Sequence, residues 1–399
     1  MDEHVYPNEA TYLGEMQESG FPNHYPEVMD ELKLAAKREG LWNLACSDRD
    51  FGPGLSLAEI APLAETLGRS PHLAPEATNS EALDTSNAEV LATYGTDQQK
   101  REWLTPLLEG RIRSIFAMAE PEVPSSDIAN ITTSVTRRGD HYIINGRKWW
   151  ATNALHPDCR LLLVVGRTST TARPHRQHSV LAVPLDSVGV GLAGTHTIFG
   201  FHAREGHAEI DLDEVRVPVS ALIGHEGDGL AIAQTRLGPG QILNCMQSIG
   251  MTARALDMAC ERALSRSVFG SVLADRDNVQ DWIAESRVEL DMARLLTLRA
   301  AWSIGKVGVR MARTEIAAAK MVVPNTALRV IDRAIQIHGA AGLSTDLPLS
   351  WMYSHQRALR IAEGPDEVQK RTIARNELRR MSRVVGDDNG SVLFGDVAY

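Results

Sequence analysis

The sequence predicts an α+β protein of several domains, with helices first, a β-domain in the middle and a helical bundle at the end. Three observations predict this order. Apolar residues recur at helical spacing up to about residue 114, short alternating runs follow, and helical spacing returns from about Asp228. We place the domains at 1–114, 115–224 and 225–385, with a tail at 386–399. A chain of 399 residues is long enough for two or three domains.

The first region is predicted to be helical throughout. Apolar positions keep helical spacing over 31–45 and 57–67, and no strand pattern precedes Ser114. Proline cannot donate a backbone hydrogen bond, so the following residues predict breaks between helices: Pro53, Pro62 and Pro71.

The middle region alternates apolar and polar residues, which indicates strands. The runs are 141–144, 161–165, 180–183 and 208–213. Asn145-Gly146 is a strong turn signal, and Arg138-Gly139-Asp140 predicts a second turn. We expect a compact β-domain.

The last region is predicted to hold four long antiparallel helices that form a bundle. The clearest apolar face is made by Val279, Ile283, Leu290, Ala293 and Leu296. Three further helical segments are 250–266, 313–338 and 366–383. The tail after Val385 is rich in Gly and Asp, which predicts a mobile segment or a contact with another subunit.

Charge and composition exclude several classes of protein. With 41 basic and 51 acidic residues the chain carries a net charge of −10, which argues against nucleic acid and favours a small metabolite. No apolar run approaches the roughly 20 residues that span a bilayer, and the acidic start lacks the features of a signal peptide, so we expect a cytoplasmic protein. The four cysteines are scattered, and His202 and His207 do not converge on one ion, so we expect no metal.

Two segments of the middle region offer groups for a ligand. The loop from Phe116 to Asp127 presents backbone amides and hydroxyls for a flat heterocycle or a phosphate, but by itself it favours a simple domain crossover. Trp150 and Thr152 stand two apart on one face of a strand, where an indole could cover an aromatic cofactor and a hydroxyl could bond its edge. A Trp in such a strand is more often part of the core.

Two segments of the last region also offer groups for a ligand. Arg266 and Phe269 lie at a helix end, which suits a pyrophosphate or equally a helix cap with a surface ion pair. Glu363 precedes Pro365 and an acidic helix start, after several apolar residues. A carboxylate in apolar surroundings can serve as a general base, whereas plain helix capping is the simpler interpretation.

Taken together and in order, these segments resemble the acyl-CoA dehydrogenase family, most closely the branch related to human family members ten and eleven. The likeness runs from about Glu31 to Arg383. Its motifs are F-x-M-x-E-P with Ser-Ser-Asp, W-x-T-N, R-x-x-F-G, Q-I-H-G-A-A-G from Gln336, and A-E-G-P-D-E-V around Glu363. One such motif is weak evidence, but five in family order are strong.

The resemblance implies a flavoenzyme with an N-terminal helical domain, a β-barrel-like middle domain and a C-terminal four-helix bundle, assembled as a homotetramer or dimer. FAD would lie between domains and across a subunit interface. The residues that it implies for FAD are Phe116, Met118, Ala119, Ser125, Trp150, Thr152, Asp366 and Glu367, with Arg266, Phe269, Gln336 and Ala340 from the neighbouring subunit. Ser126 and Gly364 would contact the acyl-CoA, and Glu363 matches the catalytic base.

The resemblance also implies a mechanism. Glu363 removes the weakly acidic α-proton of the thioester while hydrogen bonds stabilise the developing enolate. The β-hydride goes to flavin N5, trans-2-enoyl-CoA leaves, and electrons pass to an electron-transfer flavoprotein. Some members carry the base near the position of Gly238-Pro239-Gly240, where this chain has no carboxylate, which favours Glu363.

The chain departs from the family pattern at four places. Ala119 stands where Thr is usual, so we expect weaker flavin binding or a shifted redox potential. Gln241 replaces a common Arg, Arg276-Asp277 replace a common His-Gln, and Glu363 stands where the nearest branch usually has Asp. Two alternatives stay open. One is an oxidase or flavin monooxygenase that uses oxygen, and the other is a non-catalytic protein with a repurposed flavin pocket.

Overall fold

The chain divides into two compact units. The computed structural model describes residues 1–18, 25–46, 48–202 and 206–385, so the predicted tail at 386–399 lies outside the described residues. The bundle unit comprises Met1–Pro7, Gly54–Thr78 and Gln241–Arg380, and the sheet unit comprises Asn8–Pro53, Asn79–Gly240 and the described residues from Met381. The boundaries predicted at 114 and 224 stay a prediction.

The helices occupy both ends of the sequence. They are α1 (Glu9–Glu18), α2 (Glu27–Arg38), α3 (Leu57–Gly68), α4 (Ala74–Ala77), α5 (Ala82–Tyr94), α6 (Asp97–Gln99), α7 (Thr105–Leu108), α8 (Gly229–Ser265), α9 (Asp277–Met311), α10 (Arg313–His338), α11 (Ala340–Leu343), α12 (Leu349–Leu359) and α13 (Asp366–Val385). Within the described residues, none of them is both long and apolar enough to cross a membrane.

Two predictions about the early helices are wrong. The helix predicted over 31–45 is α2, which ends at Arg38, because the chain turns through Gly40 with a positive φ of 69°. Pro62 does not break a helix but lies inside α3. It is exposed, so the carbonyl group that loses a backbone partner there can face water. A capping box between Ser56 and Glu59 starts α3.

The strands of the sheet unit form one mixed sheet. They are β1 (Arg113–Ala117), β2 (Ser134–Arg138), β3 (His141–Thr152), β4 (Cys159–Arg167), β5 (His178–Pro184), β6 (Val190–His196), β7 (His207–Pro218) and β8 (Leu222–Ile223). The order is β6-β7-β3-β2-β4-β5-β8, and β1 pairs in parallel with β4. A separate hairpin of β9 (Ser267–Val268) and β10 (Ser271–Val272) belongs to the bundle unit.

The four predicted strand runs are confirmed within β3, β4, β5 and β7, and the turn at Arg138-Gly139-Asp140 joins β2 to β3. The turn predicted at Asn145-Gly146 is wrong. These residues lie inside β3, where the register against β7 shifts between Ile144 and Gly146. Two steps along β3, from Ile144 to Gly146, match three along β7, from Val215 to Leu212, so the extra residue of this β-bulge lies on β7 and Asn145-Gly146 continues the strand.

Strands β4 and β5 of the sheet are buried on both faces. One apolar cluster contains Tyr142, Ile144 and Ala151 of β3 with Ala208 and Ile210 of β7. The other packs alternate residues of β4 and β5 against α5, α7 and the first turn of α8. Strands covered on both faces position the polar loops at their ends firmly.

In the bundle unit, α8, α9, α10 and α12 share a core. It is formed mainly by small and aliphatic residues, among them Met251, Ala255, Val279, Ile331 and Met352. The predicted long helices after Asp228 are thus confirmed as α8, α9, α10 and α13.

Helix α3 packs on α8 through glycine. A Cβ at Gly68 would lie 2.1 Å from the carbonyl oxygen of Gln247, and a Cβ at Gly250 would lie 1.9 Å from that of Glu65. Backbone therefore meets backbone at this crossing, which only glycine permits.

Candidate active site

Glu363 lies in the tight turn that joins α12 to α13. Its backbone is left-handed, with φ 55°, and Gly364 follows with φ 95°. A left-handed conformation at a residue other than glycine costs about 1–3 kcal/mol and persists only where its surroundings hold it. Backbone strain of this kind often marks a functional position.

Helix α8 supplies the groups that hold Glu363. The side-chain amide of Gln241 donates to the carbonyl oxygen of Glu363 at 2.6 Å. The side-chain amide of Asn244 donates to the carboxylate oxygen Oε2 at 2.9 Å. Because residues three apart share one face of a helix, α8 grips both the backbone and the side chain of Glu363.

The expectation of apolar surroundings for Glu363 is not met. Ile361, which precedes it, is 62% exposed, and Ala362 is exposed as well. The carboxylate itself is half-buried and has an amide partner. The environment of the carboxylate is therefore polar, with one fixed hydrogen-bond donor, and not apolar.

The neighbouring acidic residues differ in their environments. Asp366 is buried, and its carboxylate accepts from Arg360 Nε at 2.8 Å and from Asn325 Nδ2 at 3.0 Å, whereas Glu367 is exposed. Gly364 accepts a hydrogen bond at its carbonyl from Gln369 Nε2 at 3.1 Å. Asp366 therefore stabilises the turn through its bonds to Arg360 and Asn325.

Arg266 and Phe269 belong to the β9–β10 hairpin that follows α8. Phe269 and Gly270 form its tip with φ 48° and 86°, and the Phe269 side chain is fully exposed at 100%. Arg276 donates to the Val268 carbonyl oxygen at 2.8 Å and braces the hairpin. An aromatic ring is thus held out into solvent on a braced turn, not at a helix cap.

Gln336 and Ala340 flank the end of α10. Gly339, with φ 66°, ends the helix, and both flanking residues are exposed. Gly342 packs tightly, since a Cβ there would lie 2.7 Å from the Ile335 carbonyl oxygen.

In the sheet unit, the loop after β1 is anchored by Glu120. This carboxylate is 3% exposed and accepts hydrogen bonds from Lys148 Nζ at 2.8 Å and from the backbone and hydroxyl groups of Thr132 and Thr133 at 2.6–2.9 Å. Lys148, which is fully buried, also donates to the Met118 and Val165 carbonyl oxygens at 3.1 and 2.8 Å.

Electrostatics favour the charged form of Glu120. Burial alone raises the pKa of this carboxyl, but the Lys148 charge and the hydrogen bonds from Lys148, Thr133 and Thr132 outweigh burial and lower it to about 2. The ionised pair therefore holds the loop at neutral pH.

Sequence reasoning missed this pair. The signal was present, because Lys148 shares the strand parity of Tyr142 and Ile144, whose side chains face the core. A lysine at a core-facing position requires a buried acidic partner.

The remaining loop residues cluster near Glu120. Ser125 accepts from the Glu120 backbone amide at 2.8 Å and donates to the Val123 carbonyl at 3.1 Å, while Ser126 is exposed. The Ala119 carbonyl accepts from the Trp149 amide at 3.0 Å. The Phe116 ring lies 4.6 Å from the Arg236 guanidinium.

Trp150 and Thr152 both lie beside His207. A second bulge lies between Lys148 and Ala151, and Trp150 itself has φ 50°. The Trp150 indole is 40% exposed, stacks on His196 at 4.9 Å and lies 5.4 Å from His207. His207 Nδ1 lies 3.0 Å from Thr152 Oγ1, so this histidine orients the hydroxyl.

Each unit thus groups a part of the predicted site. The bundle unit brings Gly364, Asp366 and Glu367 around Glu363, and places Arg266 with Phe269 on the hairpin. The sheet unit brings the loop from Phe116 to Ser126 beside Lys148 and β3.

Comparison with known proteins identifies the class. The chain matches the family models for the N-terminal domain of acyl-CoA dehydrogenase over residues 1–111, its middle domain over 115–215 and its C-terminal domain over 227–378. The fold and these matches define an acyl-CoA dehydrogenase, an oxidoreductase.

Similar proteins agree. The Mycobacterium tuberculosis protein named probable acyl-CoA dehydrogenase FadE2 is 50% identical, covering 95% of this chain and 93% of that protein. Human acyl-CoA dehydrogenase family member 11 is 45% identical over 90% of this chain and 46% of that protein, and mouse family member 10 is 45% identical over 96% and 36%. The chain belongs to the acyl-CoA dehydrogenase family, as its motifs predict, and spans about half the length or less of these animal relatives.

Solved structures show the same fold. A Mycobacterium abscessus protein assigned as an acyl-CoA dehydrogenase superposes with a TM-score of 0.91 at 42% identity, over 95% of both chains. Butyryl-CoA dehydrogenase from Megasphaera elsdenii shares the fold with a TM-score of 0.79 at 24% identity, over 95% of both chains. The predicted architecture is confirmed, and membership places the chain among the flavoproteins of fatty acid metabolism.

Proposed function

We propose that the protein dehydrogenates an acyl-CoA thioester to the trans-2-enoyl-CoA with FAD as cofactor and Glu363 as the base. The observation that carries this proposal is the geometry of Glu363, a half-buried carboxylate in a left-handed turn, gripped by α8. A base for a weakly acidic proton must be held in place before the substrate arrives.

The lack of an alternative base supports Glu363. A residue other than glycine at position 240 would meet Ser86 Oγ, since a Cβ there would lie 2.5 Å from it. A side chain at position 240 would thus require Ser86 to change rotamer, and this chain carries no carboxylate at 238–240, where some family members have the base.

The residues of the sheet unit fit a flat heterocycle. Trp150 offers a partly exposed indole face, Thr152 offers a hydroxyl oriented by His207, and the Ala119 amide has no hydrogen-bond acceptor in the described part of the chain. An indole can pack on the face of a flavin ring, while a hydroxyl and a backbone amide can form hydrogen bonds with its edge. We assign Phe116, Met118, Ala119, Ser125, Trp150 and Thr152 to FAD, and Ser126 with Gly364 to the acyl-CoA.

The hairpin of the bundle unit supports a contact across a subunit interface. Phe269 is wholly exposed on a braced turn, and Gln336 and Ala340 are exposed as well. In a homotetramer or dimer, these residues and Arg266 would serve the FAD of the neighbouring subunit. Exposed Glu367 remains available to a cofactor, whereas Asp366 already has two partners and acts through the turn.

The chain's own residues then divide the chemistry. Bound FAD supplies a hydride acceptor. Glu363 accepts the α-proton on its carboxylate, Trp150 covers one face of the cofactor and excludes water, and the Glu120–Lys148 pair keeps the loop from Met118 to Ser125 in place. Electrons leave to an electron-transfer flavoprotein, in a cytoplasmic enzyme.

An anaerobic titration tests the proposal. Acyl-CoAs of differing length and branching are added to the purified protein while the oxidised-flavin absorbance is followed. Bleaching by one class supports dehydrogenation and names the substrate, whereas a yellow protein that none bleaches supports a repurposed pocket, and a colourless one removes FAD. Rapid reoxidation by air after bleaching would instead favour an oxidase.

Glu363→Gln tests the base. The amide has the same shape but cannot accept the proton, so we expect bound flavin to be retained and turnover to fall at least about 1,000-fold. Flavin content from the absorbance spectrum and steady-state turnover are measured together. Turnover close to that of the unmodified enzyme would mean that Glu363 is only a helix cap.

A further inference from the structure

We infer that Asn244 is a positioning residue for the proton transfer, because its side-chain amide holds one oxygen of the Glu363 carboxylate and leaves the other to accept the substrate's α-proton. This inference rests on the proposed function. It concerns a residue in the middle of α8 that no motif of the sequence singles out.

The first step is the assignment of the two carboxylate oxygens. Asn244 Nδ2 donates to Oε2 at 2.9 Å, and no described residue donates to Oε1. An oxygen that already accepts an amide hydrogen is the poorer proton acceptor. The geometry therefore directs the incoming proton to Oε1.

The second step is the backbone. Gln241 donates to the Glu363 carbonyl at 2.6 Å and so supports the left-handed turn, while Asn244 fixes the side chain. Gln241 is 7% exposed and Asn244 is half-buried, so water competes weakly for these bonds. A free glutamate side chain has several rotamers, whereas one held at both its carbonyl and its carboxylate has a single direction.

The third step is the chemistry of the partner. An amide donates a hydrogen without carrying charge, so it orients the carboxylate without neutralising it as an arginine would. Gln241 stands where the family commonly has Arg. Two neutral amides thus orient the base without placing a positive charge beside it.

The ionisable side chains near Glu363 have other partners or stay neutral. Cys245 neighbours Asn244 on α8, and burial raises the pKa of its thiol to about 12, so it stays protonated. Lys320 on α10 donates to the Leu359 carbonyl, and Arg360 pairs with Asp366 in the same turn. None of these groups donates a hydrogen bond to the Glu363 carboxylate.

The test isolates proton removal. The probe is a 3-thia-acyl-CoA, in which sulfur replaces the β-carbon, so that no hydride can leave. Exchange of its α-hydrogens with deuterated water on the flavin-loaded enzyme is followed by mass spectrometry. The acyl length is the one that bleaches the flavin best.

Two variants remove the amide donor. Asn244→Asp keeps the shape of the side chain, and Asn244→Leu keeps its approximate size. We expect each to slow exchange about 10- to 100-fold, with flavin content and the dissociation constant of the probe unchanged, because a small misplacement of a base has this effect. In Asn244→Asp a second carboxylate faces the first, so the acid limb of the exchange profile should also move to higher pH.

A matched control and a reference variant separate the outcomes. Asn376→Leu removes a hydrogen bond of 3.0 Å from the Asn376 side-chain amide to the Thr314 hydroxyl in the same unit, and it should leave exchange unchanged. If Glu363→Gln abolishes exchange while both Asn244 variants exchange at the unmodified rate, the inference about Asn244 fails alone. If Glu363→Gln exchanges normally, the proposed base fails, and the inference fails with it.

Discussion

At the scale of single residues, three members of the proposed site share one unusual property. Trp150, Phe269 and Glu363 all have a positive φ. Such a conformation is rare in bulky residues and persists only where the surrounding structure holds it. The sequence could not predict this conformation, because Trp, Phe and Glu carry no local signal for the left-handed region.

The buried Glu120–Lys148 pair gives a residue-scale prediction. Glu120→Gln leaves the Lys148 charge without its partner, and breaking a buried pair costs about 3–5 kcal/mol. We expect the free energy of unfolding of the apoprotein at pH 7 to fall by that amount in urea unfolding followed by tryptophan fluorescence. The Glu120→Gln/Lys148→Met double variant should recover most of the loss. Equal urea midpoints for all three proteins would show that the pair does not stabilise the loop.

The same pair predicts an acid dependence. The pKa of Glu120 is about 2 in the folded protein, against about 4.3 for an ordinary glutamate. The folded value is the lower one, so this stabilisation is complete above about pH 4.5 and disappears as the pH falls toward 2. Urea midpoints at a series of pH values should therefore fall more steeply for the unmodified protein than for the double variant. Parallel profiles would contradict the shift.

At the scale of elements, most of the fold could be predicted from periodicity. The long helices and four strands follow from apolar spacing alone. The failures have local causes: Asn145-Gly146 continues β3 opposite a bulge of β7, and Pro62 is tolerated because its face of α3 is exposed. The short strands β2 and β6 were not predicted, because most of their residues are exposed and their sequences carry little apolar pattern.

The α3–α8 crossing gives an element-scale prediction. Gly250→Ala places a methyl group within 1.9 Å of the Glu65 carbonyl oxygen, so the helices must separate. We expect a loss of more than about 2 kcal/mol in the free energy of unfolding. Gly305→Ala in α9 is the matched control, because nothing lies within 4 Å of its Cβ, and it should stabilise the protein by about 0.5–1 kcal/mol. Opposite shifts in melting temperature are expected; shifts of the same sign would contradict the close approach.

At the scale of the whole molecule, the site residues are distributed over both units of the chain. Five motifs in order were enough to predict the family and the fold. The grip of α8 on Glu363 could not be predicted, because Gln241 and Asn244 lie more than one hundred residues from it in sequence. Long-range pairing of this kind has no local pattern.

The exposed hairpin predicts that the subunits complete one another. We expect Phe269→Ala and Glu363→Gln homo-oligomers each to be nearly inactive. Coexpression should restore part of the activity, because in a mixed oligomer some sites receive both an intact Glu363 and an intact hairpin. Activity per bound flavin is measured on the purified mixed species. No recovery in a confirmed mixed oligomer would place the hairpin's role within its own subunit.

The anchoring of Glu120 has a thermodynamic consequence for ligand binding. Its five hydrogen bonds order the loop from the sheet side as the chain folds. The conformational entropy of that loop is therefore lost during folding and not when a cofactor arrives. Calorimetry of cofactor binding to the apoprotein should show a heat-capacity change accounted for by buried surface alone, without the larger change that accompanies folding on binding.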